Sequence, residues 1–348
     1  MTSVLHIIPA DAVGGVEVAA HSLPDGCYMG LEFRRAYIAG KIVVDTAAVD
    51  LKPVYASVNN PLASVRLTYK VLLYSPDAVI CSLWRSCIVG LAIKALRPQT
   101  KLVCFLHSSR SAHVADWLIH RLAIICSSAV WADSEAALRG RVSASRRNKA
   151  RIISFVTVHL KAARRAKPEP KFVFWGRISP EKGLARALRL FACIRQSMPD
   201  AEFTIIGPES RTLPGLVELC SSLSINDSVR FAGPKNLAQI AEAAAENYFY
   251  LQTSQYEGMA LSVVEAMQLG LLPIVTPVGE VGTYCRDGVN SFIVDDDDSR
   301  LVQRIAGIIA EPEDYRRMTS NAVAHWRGHP LYKDSVLAAC RDLVMEPH

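Results

Sequence analysis

Short apolar runs, each followed by a segment able to form a helix, recur along this 348-residue chain. That alternation restricts the fold more than any other feature. SVLHIIPA (3–10), DAVICSL (77–83), KLVCFLH (101–107) and AVWADS (129–134) read as strands, and DAVGGVEVAAHSL after the first is a glycine turn opening into a helix. Strands separated by helices build a parallel sheet covered on both faces. KAARRAKPEPK (161–171), charged and with two prolines, reads as a linker. After it the rhythm restarts. KFVFWG, AEFTIIG, VRFAG, YFYLQT, LPIVTP and NSFIV are strands; LARALRLFACIRQS, LPGLVELCSSL, NLAQIAEAAAE, SVVEAMQLG and SRLVQRIAGIIA are helices. The expected class is α/β, with two doubly wound domains in tandem over 1–165 and 166–330. Ligand is expected at the carboxyl ends of the strands, between the domains. LYKDSVLAACRDLVM (331–345) reads as a closing amphipathic helix.

Half the residues are hydrophobic and 21% are charged, the balance of an ordinary globular protein. MTSVLHIIPADA lacks the charged start and long apolar stretch of a secretory signal. LAIICSSAVWA (122–132) is too short to span a bilayer. The nine cysteines form no CxxC and no His/Cys cluster in sequence. Reduced, buried thiols in a cytoplasmic protein are therefore expected, and no structural zinc. The net charge of +6 hides an asymmetry: residues 1–167 hold 22 Lys/Arg against 10 Asp/Glu, and 168–348 hold 17 against 23. A basic half points to an anionic partner. The densest run, RGRVSASRRNKAR (139–151), reads either as a solvated loop or as a contact to an anionic membrane surface or acceptor. Nucleic acid is disfavoured, because no interleaved aromatics or reading helix accompany the charge.

Three motifs bear on chemistry. Gly14 and Gly15, between a strand and a helix, either make a plain tight turn or let backbone N–H groups approach an anion; they do not form the GxGxxG dinucleotide fingerprint. In WGRISPEKG (175–183), Arg177 and Lys182 flank a loop at a strand's carboxyl end, placed to clamp a pyrophosphate. In EGMALSVVE (257–265), Glu257 lies in a turn and Glu265 about one turn into the helix that follows. The free N–H groups of Met259, Ala260, Leu261 and Ser262 would attract a phosphate or sugar hydroxyls. A charge at Glu265 among Val263, Val264, Ala266 and Met267 is costly without a polar partner, and a ribose diol is one. The DDDD tetrad (295–298) reads as helix-capping acid and not as a metal motif.

FWGRISPEKG, FTIIG, VRFAG, SQYEGMALSVVEAMQLGLLPIVT and VGEVGTYCRDGVNSFIV together resemble the donor-binding half of retaining glycosyltransferases of the GT-B fold, glycosyltransferase family 4. GGVE, PDAVICSLWRS, FLHSS and ADSEAAL match that family's first half more loosely. The resemblance implies two Rossmann-like domains facing a cleft, with the helix in 331–348 crossing back to an N-terminal acceptor domain and 166–330 binding the nucleotide sugar. It implies that Arg177 and Lys182 hold the diphosphate and that Glu265 binds the ribose. Glu257 faces the sugar together with the amides of Gly258 to Leu261, and Gly14 and Gly15 lie near the phosphate and acceptor. His107 would contact the transferred sugar or the acceptor hydroxyl, although a hydrogen-bonded strand-end histidine is the alternative. Glu257 is as plausibly a binding and electrostatic residue as a catalytic one.

By the same resemblance, transfer proceeds with retention and without a metal or other cofactor, the leaving diphosphate being stabilised by cations and helix N-termini. Two departures stand out. GEVGT replaces the usual GG-x-P-E, with Gly282 for the proline and Thr283 for the glutamate, and SSRSAH after His107 lacks a common acid. The expectation is a cytoplasmic hexosyltransferase, peripheral on the inner face of the membrane. It would use a UDP-sugar, or next GDP-mannose, and a glycan or lipid-linked acceptor in surface polysaccharide or glycoconjugate synthesis. The alternatives are a degenerate GT-B protein that binds without transfer, or a sugar-nucleotide epimerase.

Overall fold

The computed structural model describes residues 1–10, 14–40, 51, 57–163 and 167–345. The expected boundary at 165/166, residues 164–166 of the linker, residues 11–13 of the glycine turn and the last three residues lie outside them. The chain divides into two compact units, Met1–Val158 with Pro330–His348, and His159–His329.

The first unit is built on seven strands: β1 (Thr2–Ala10), β2 (Gly26–Tyr28), β3 (Leu31–Ala39), β4 (Ala78–Ser82), β5 (Lys101–Leu106), β6 (Ala129–Ala132) and β7 (Ala150–Ile152). Their order is β2-β3-β1-β4-β5-β6-β7, parallel except for the β2–β3 edge pair. Its helices are α1 (Gly15–His21), α2 (Pro61–Tyr74), α3 (Leu83–Leu96), α4 (Val114–Cys126) and α5 (Glu135–Arg141). β4 is buried at all five positions, which its uninterrupted apolar sequence requires of a central parallel strand. Asn60 opens α2 by accepting from the Leu62 N–H, with Pro61 at the first helical position. Ser134 caps α5 in the same manner.

The second unit alternates β8 (Lys171–Trp175), α6 (Leu184–Ser197), β9 (Glu202–Ile206), α7 (Leu213–Ser222), β10 (Val229–Phe231), α8 (Leu237–Ala245), β11 (Phe249–Gln252), α9 (Leu261–Gln268), β12 (Leu272–Val275), α10 (Val281–Tyr284) and β13 (Phe292–Ile293). Then α11 (Asp298–Ala310) and α12 (Pro312–Trp326) complete it. The sheet order is β10-β9-β8-β11-β12-β13, all parallel, so the direction of strand addition reverses at β8–β11. Ligands bind at that kind of reversal, outside the strands' carboxyl ends. α13 (Tyr332–Met345) belongs to the first unit. The Tyr332 N–H donates to Val156 O at 2.7 Å, and Lys101 Nζ donates to Leu343 O at 2.7 Å.

Two sequence readings need revision, and the helix-capping reading of the aspartate tetrad holds. The run 139–151 is not a loop: it closes α5, makes a 3₁₀ turn over Ala144–Lys149 and enters β7. Much of its charge is used internally. Arg141 donates to Asp116 at 3.0 Å, Lys149 to the Ile124 and Ser127 carbonyls at 2.7 Å each, and Arg151 pairs with Asp342. The cysteines do gather in space: Cys87, Cys104 and His120 lie within 4.8 Å of one another, and all are buried. His120 there is held through Nδ1 by Asp116 beside Arg141, so its imidazole is part of an ion-paired network. Within the aspartate tetrad, Asp297 caps α11 through the Arg300 N–H at 2.9 Å and Asp298 makes a two-pronged pair with Arg186.

Candidate functional site

β8 and β11 are neighbours, and the residues at their carboxyl ends build a buried polar cluster in the second unit. Strand alternation turns Trp175, last in β8, toward α9, where its indole N–H donates to Glu265 Oε2 at 2.8 Å. Each group solves the other's problem: a buried indole needs an acceptor, and a buried carboxylate needs a donor. Burial, eased by that one bond, raises the Glu265 carboxyl to about 7. Tyr250 of β11 is fully buried. Its hydroxyl lies 2.7 Å from Gln252 Oε1 and 3.1 Å from the Trp175 carbonyl. Burial first, and then the nearby Glu257 and Glu265, push the Tyr250 phenol well above its ordinary value.

Glu257 is the hub of the adjoining half. A single oxygen, Oε1, accepts from Lys182 Nζ at 2.7 Å, Ser254 Oγ at 2.6 Å and Gln252 Nε2 at 3.0 Å. The Lys182–Glu257 pair is mostly buried, with side chains 14% and 9% exposed. Gln252 ties the halves together, because its Oε1 accepts from Ser262 Oγ at 2.9 Å at the start of α9. The turn between them is held without slack. Ala260, which precedes α9, sits at φ 55°, and the Met259 carbonyl accepts from Tyr284 at 2.7 Å. Gly258 O accepts from the Glu280 N–H at 3.0 Å. Gly279 has φ +59°, and a Cβ there would lie 2.2 Å from Glu257 O, so this turn admits no side chain at 279.

Gly183 is the tightest point. It stands at φ +66°, and a Cβ would fall 1.8 Å from the Thr253 carbonyl. Gly183→Ala is therefore expected to cost several kcal/mol, on the order of 3 or more, by combining an unfavourable φ with a backbone clash. Urea unfolding measures it; a loss under about 1 kcal/mol would show that the Lys182 loop is not pinned against β11.

The other predicted residues lie elsewhere. Arg177 is 57% exposed, its guanidinium 3.8 Å from Glu181. Gly14, Gly15 and His107 are in the first unit. Gly14 is extended (φ −160°) ahead of α1, which starts at Gly15. The His107 side chain is only 4% exposed, with Nε2 2.9 Å from Ser82 Oγ and Nδ1 3.4 Å from Asp133 without hydrogen-bond alignment. His6 Nε2 meets the same Ser82 oxygen at 2.8 Å. That hydroxyl has one proton, so it donates to one ring and accepts from the other. Burial, then His107 and Arg35, lowers His6 to about 3, so His6 is neutral near pH 7.

A separate cavity of about 730 Å³ opens beside Ser254 and Thr253, lined also by Ser179, Arg186, Arg189 and Pro277. None of the predicted site residues lines it, and Arg186 is committed to Asp298. The Glu257–Glu265 cluster, with its convergent polar groups and raised carboxyl, is the better candidate for chemistry. Reading the sequence gave no role to Trp175, Gln252, Ser254 or Tyr250. The signal for Trp175 was its place as the last residue of a buried strand facing an isolated buried acid.

The fold and this cluster define a class. Superposed on Anabaena HepE in complex with UDP-glucose, the chain gives a TM-score of 0.77 at 17% identity, covering 98% of this chain and 100% of that one. Residues 157–325 match the model of glycosyl transferases group 1. The chain thus has the GT-B fold, and its residues 157–325 are similar to glycosyl transferases group 1. Among curated relatives, it is 29% identical over 140 residues to an uncharacterized glycosyltransferase, YqgM, of Bacillus subtilis. It is 30% identical over 162 residues to the D-inositol 3-phosphate glycosyltransferase of Streptomyces griseus. Those matches span 40% and 44% of this chain, and 38% and 34% of the relatives' own length.

Proposed function

We propose that the protein is a retaining hexosyltransferase that moves a sugar from a nucleotide diphosphate donor to a hydroxyl of a glycan or lipid-linked acceptor. The observation behind this reading is Glu265: a largely buried carboxylate with a single side-chain donor among the described residues, at the reversal point of the second sheet. Two vicinal ribose hydroxyls are the partner such a group lacks. Lys182 and Arg177 hold the diphosphate, Lys182 exchanging its Glu257 partner for phosphate as donor enters. Glu257, released by Lys182 but still held by Ser254 and Gln252, then accepts from sugar hydroxyls. The amides from Gly258 to Ser262 face the same ligand.

In the transfer step the acceptor oxygen bonds to the anomeric carbon on the face from which the diphosphate departs. The bond from that carbon to the phosphate oxygen breaks, and a phosphate oxygen takes the acceptor proton. Lys182, Arg177 and the α9 N-terminus stabilise the charge gathering on the leaving group, which needs no metal or other cofactor. His107, oriented by Ser82, contacts the sugar or acceptor, and Gly14 and Gly15 lie near the phosphate. UDP-sugars are the favoured donors, GDP-mannose the next. A lipid-linked acceptor in surface glycan synthesis suits a basic first half, and the protein then works in the cytoplasm at the inner face of the membrane. The Thr283 hydroxyl, donating within its own turn to Glu280 at 2.8 Å, favours a second reading: a protein that binds nucleotide sugar without turnover.

Thermal unfolding with UDP, GDP, ADP and their sugar conjugates tests the donor site. One base, at about 100 times its dissociation constant, is expected to stabilise by roughly 2.7 kcal/mol, and Glu265→Ala to lose the effect. Release of nucleoside diphosphate with acceptor present, and the product's anomeric configuration, separate transfer from binding alone. No shift with any nucleotide would overturn the donor-site assignment.

A further inference from the structure

Helix α4 buries two polar side chains and leaves several large apolar ones outside, although Ala123 and Ile124 turn inward. Asp116 and His120 are buried against Arg141, while Trp117, Leu118 and Ile125 are 50%, 47% and 46% exposed. A surface helix of a globular protein ordinarily shows the opposite pattern. α2 packs on α3, and α3 on α4, so the three form one layer. α2 repeats the pattern on its outer face with Val65, Tyr69 and Leu73 exposed at helical spacing, and Ile88 is exposed on the middle helix. Apolar side chains gathered in this way mark a surface that is covered in use.

The charge of the layer identifies what covers it. Its three helices hold Arg66, Lys70, Arg85, Lys94 and Arg121, and one acid, Asp116, which is buried. The Arg121 guanidinium lies 5.3 Å from the centre of the Trp117 ring, and that of Arg85 4.3 Å from Trp84. Tryptophan beside arginine, over an aliphatic face, is the chemistry of the headgroup zone of a bilayer. A second copy fits poorly: a two-fold contact would set these cations against themselves, and the three helices offer no exposed acid to meet them.

We propose that the outer face of α2–α4 rests on an anionic phospholipid bilayer. Trp117, Leu118, Leu122 and Ile125 reach below the headgroups, and Arg66, Lys70 and Arg121 meet the lipid phosphates. This deepens the reading that the protein works at a membrane surface, and rests on it. It also replaces the 139–151 run, whose Arg141, Lys149 and Arg151 are spent on internal contacts, as the principal contact.

The test is co-sedimentation of the full chain with vesicles of phosphatidylglycerol and phosphatidylcholine, against phosphatidylcholine alone. Wild type is expected to bind the anionic vesicles, and Leu118→Glu/Ile125→Glu about tenfold or more weakly. Trp117→Ala, a milder change, is expected to fall between them, and both variants to keep the parental unfolding transition. No vesicle binding by wild type would overturn the membrane-surface reading and this inference with it, leaving the donor site untouched. Binding that survives Leu118→Glu/Ile125→Glu but is lost in Arg146→Ala/Arg147→Ala would overturn this inference alone. A wild-type dimer dissolved by Leu118→Glu/Ile125→Glu, without vesicle binding, would assign the face to a second copy and overturn it too.

Discussion

Glu265→Gln is expected to abolish nucleotide-dependent stabilisation and, at pH 8, to leave the unliganded protein more stable than its parent. The reason is the carboxyl's environment. Its value of about 7, against an ordinary 4.5, means that the folded state keeps a proton which the unfolded chain has released. Folding stability therefore falls as pH rises between those values, and the deficit, on the order of 3 kcal/mol, is fully present above about pH 7. Glutamine still accepts from the Trp175 indole but cannot ionise, so it recovers much of that deficit at pH 8 and little at pH 4. Urea unfolding at the two pH values checks this. Parent and variant equally stable at pH 8 would show that burial does not strain the carboxylate.

Nucleotide binding should move in the opposite direction. In the proposed complex two ribose hydroxyls donate to Glu265 and favour its ionised form, so affinity is expected to drop about tenfold per pH unit below 7 until the bound-state value is reached. Stability and function thus oppose each other at one residue, a common arrangement at binding sites.

Lys182→Ala is the second large effect. It removes the cation proposed to meet the leaving diphosphate, and the turnover number is expected to fall about 10² to 10³-fold. The cost to folding is smaller than for most buried pairs, because Glu257 keeps its bonds to Ser254 and Gln252. Lys182→Met with Glu257→Gln is expected to restore stability without restoring turnover. Steady-state kinetics with unfolding curves on the same samples separate the two. A Lys182→Ala enzyme with near-parental turnover would remove Lys182 from the transition state.

Much of the second unit was legible in the sequence, because buried parallel strands are continuous apolar runs: KFVFW, FTII, FYLQ and LPIV all sit where the pattern puts them. The first unit was harder. β3 alternates charged and apolar residues in LEFRRAYIA, and β7 hides at the end of a basic run. α12 reads as mostly polar in PEDYRRMTSNAVAHW and buries a narrow stripe, Tyr315, Met318, Thr319, Ala322 and Trp326. In the cluster, residue types and strand-end positions picked out Glu257, Glu265 and Lys182, while Arg177 stands exposed outside it. Their partners were not legible. Lys182 pairs across 75 positions and Trp175 across 90, and no local spacing encodes a contact that the sheet order makes. For the same reason α4 read only as an apolar segment. Which of its faces turns inward depends on Arg141, 25 positions away from Asp116.

Calorimetric titration of UDP and GDP into the wild-type chain and Glu265→Gln, at pH 8 and pH 6, decides whether this carboxylate holds the ribose. Saturable binding of one base is expected at pH 8, about tenfold weaker at pH 6, with no measurable binding by the variant at either pH. Equal affinity in wild type and Glu265→Gln would contradict it, because the ribose would then be held by something other than this carboxylate.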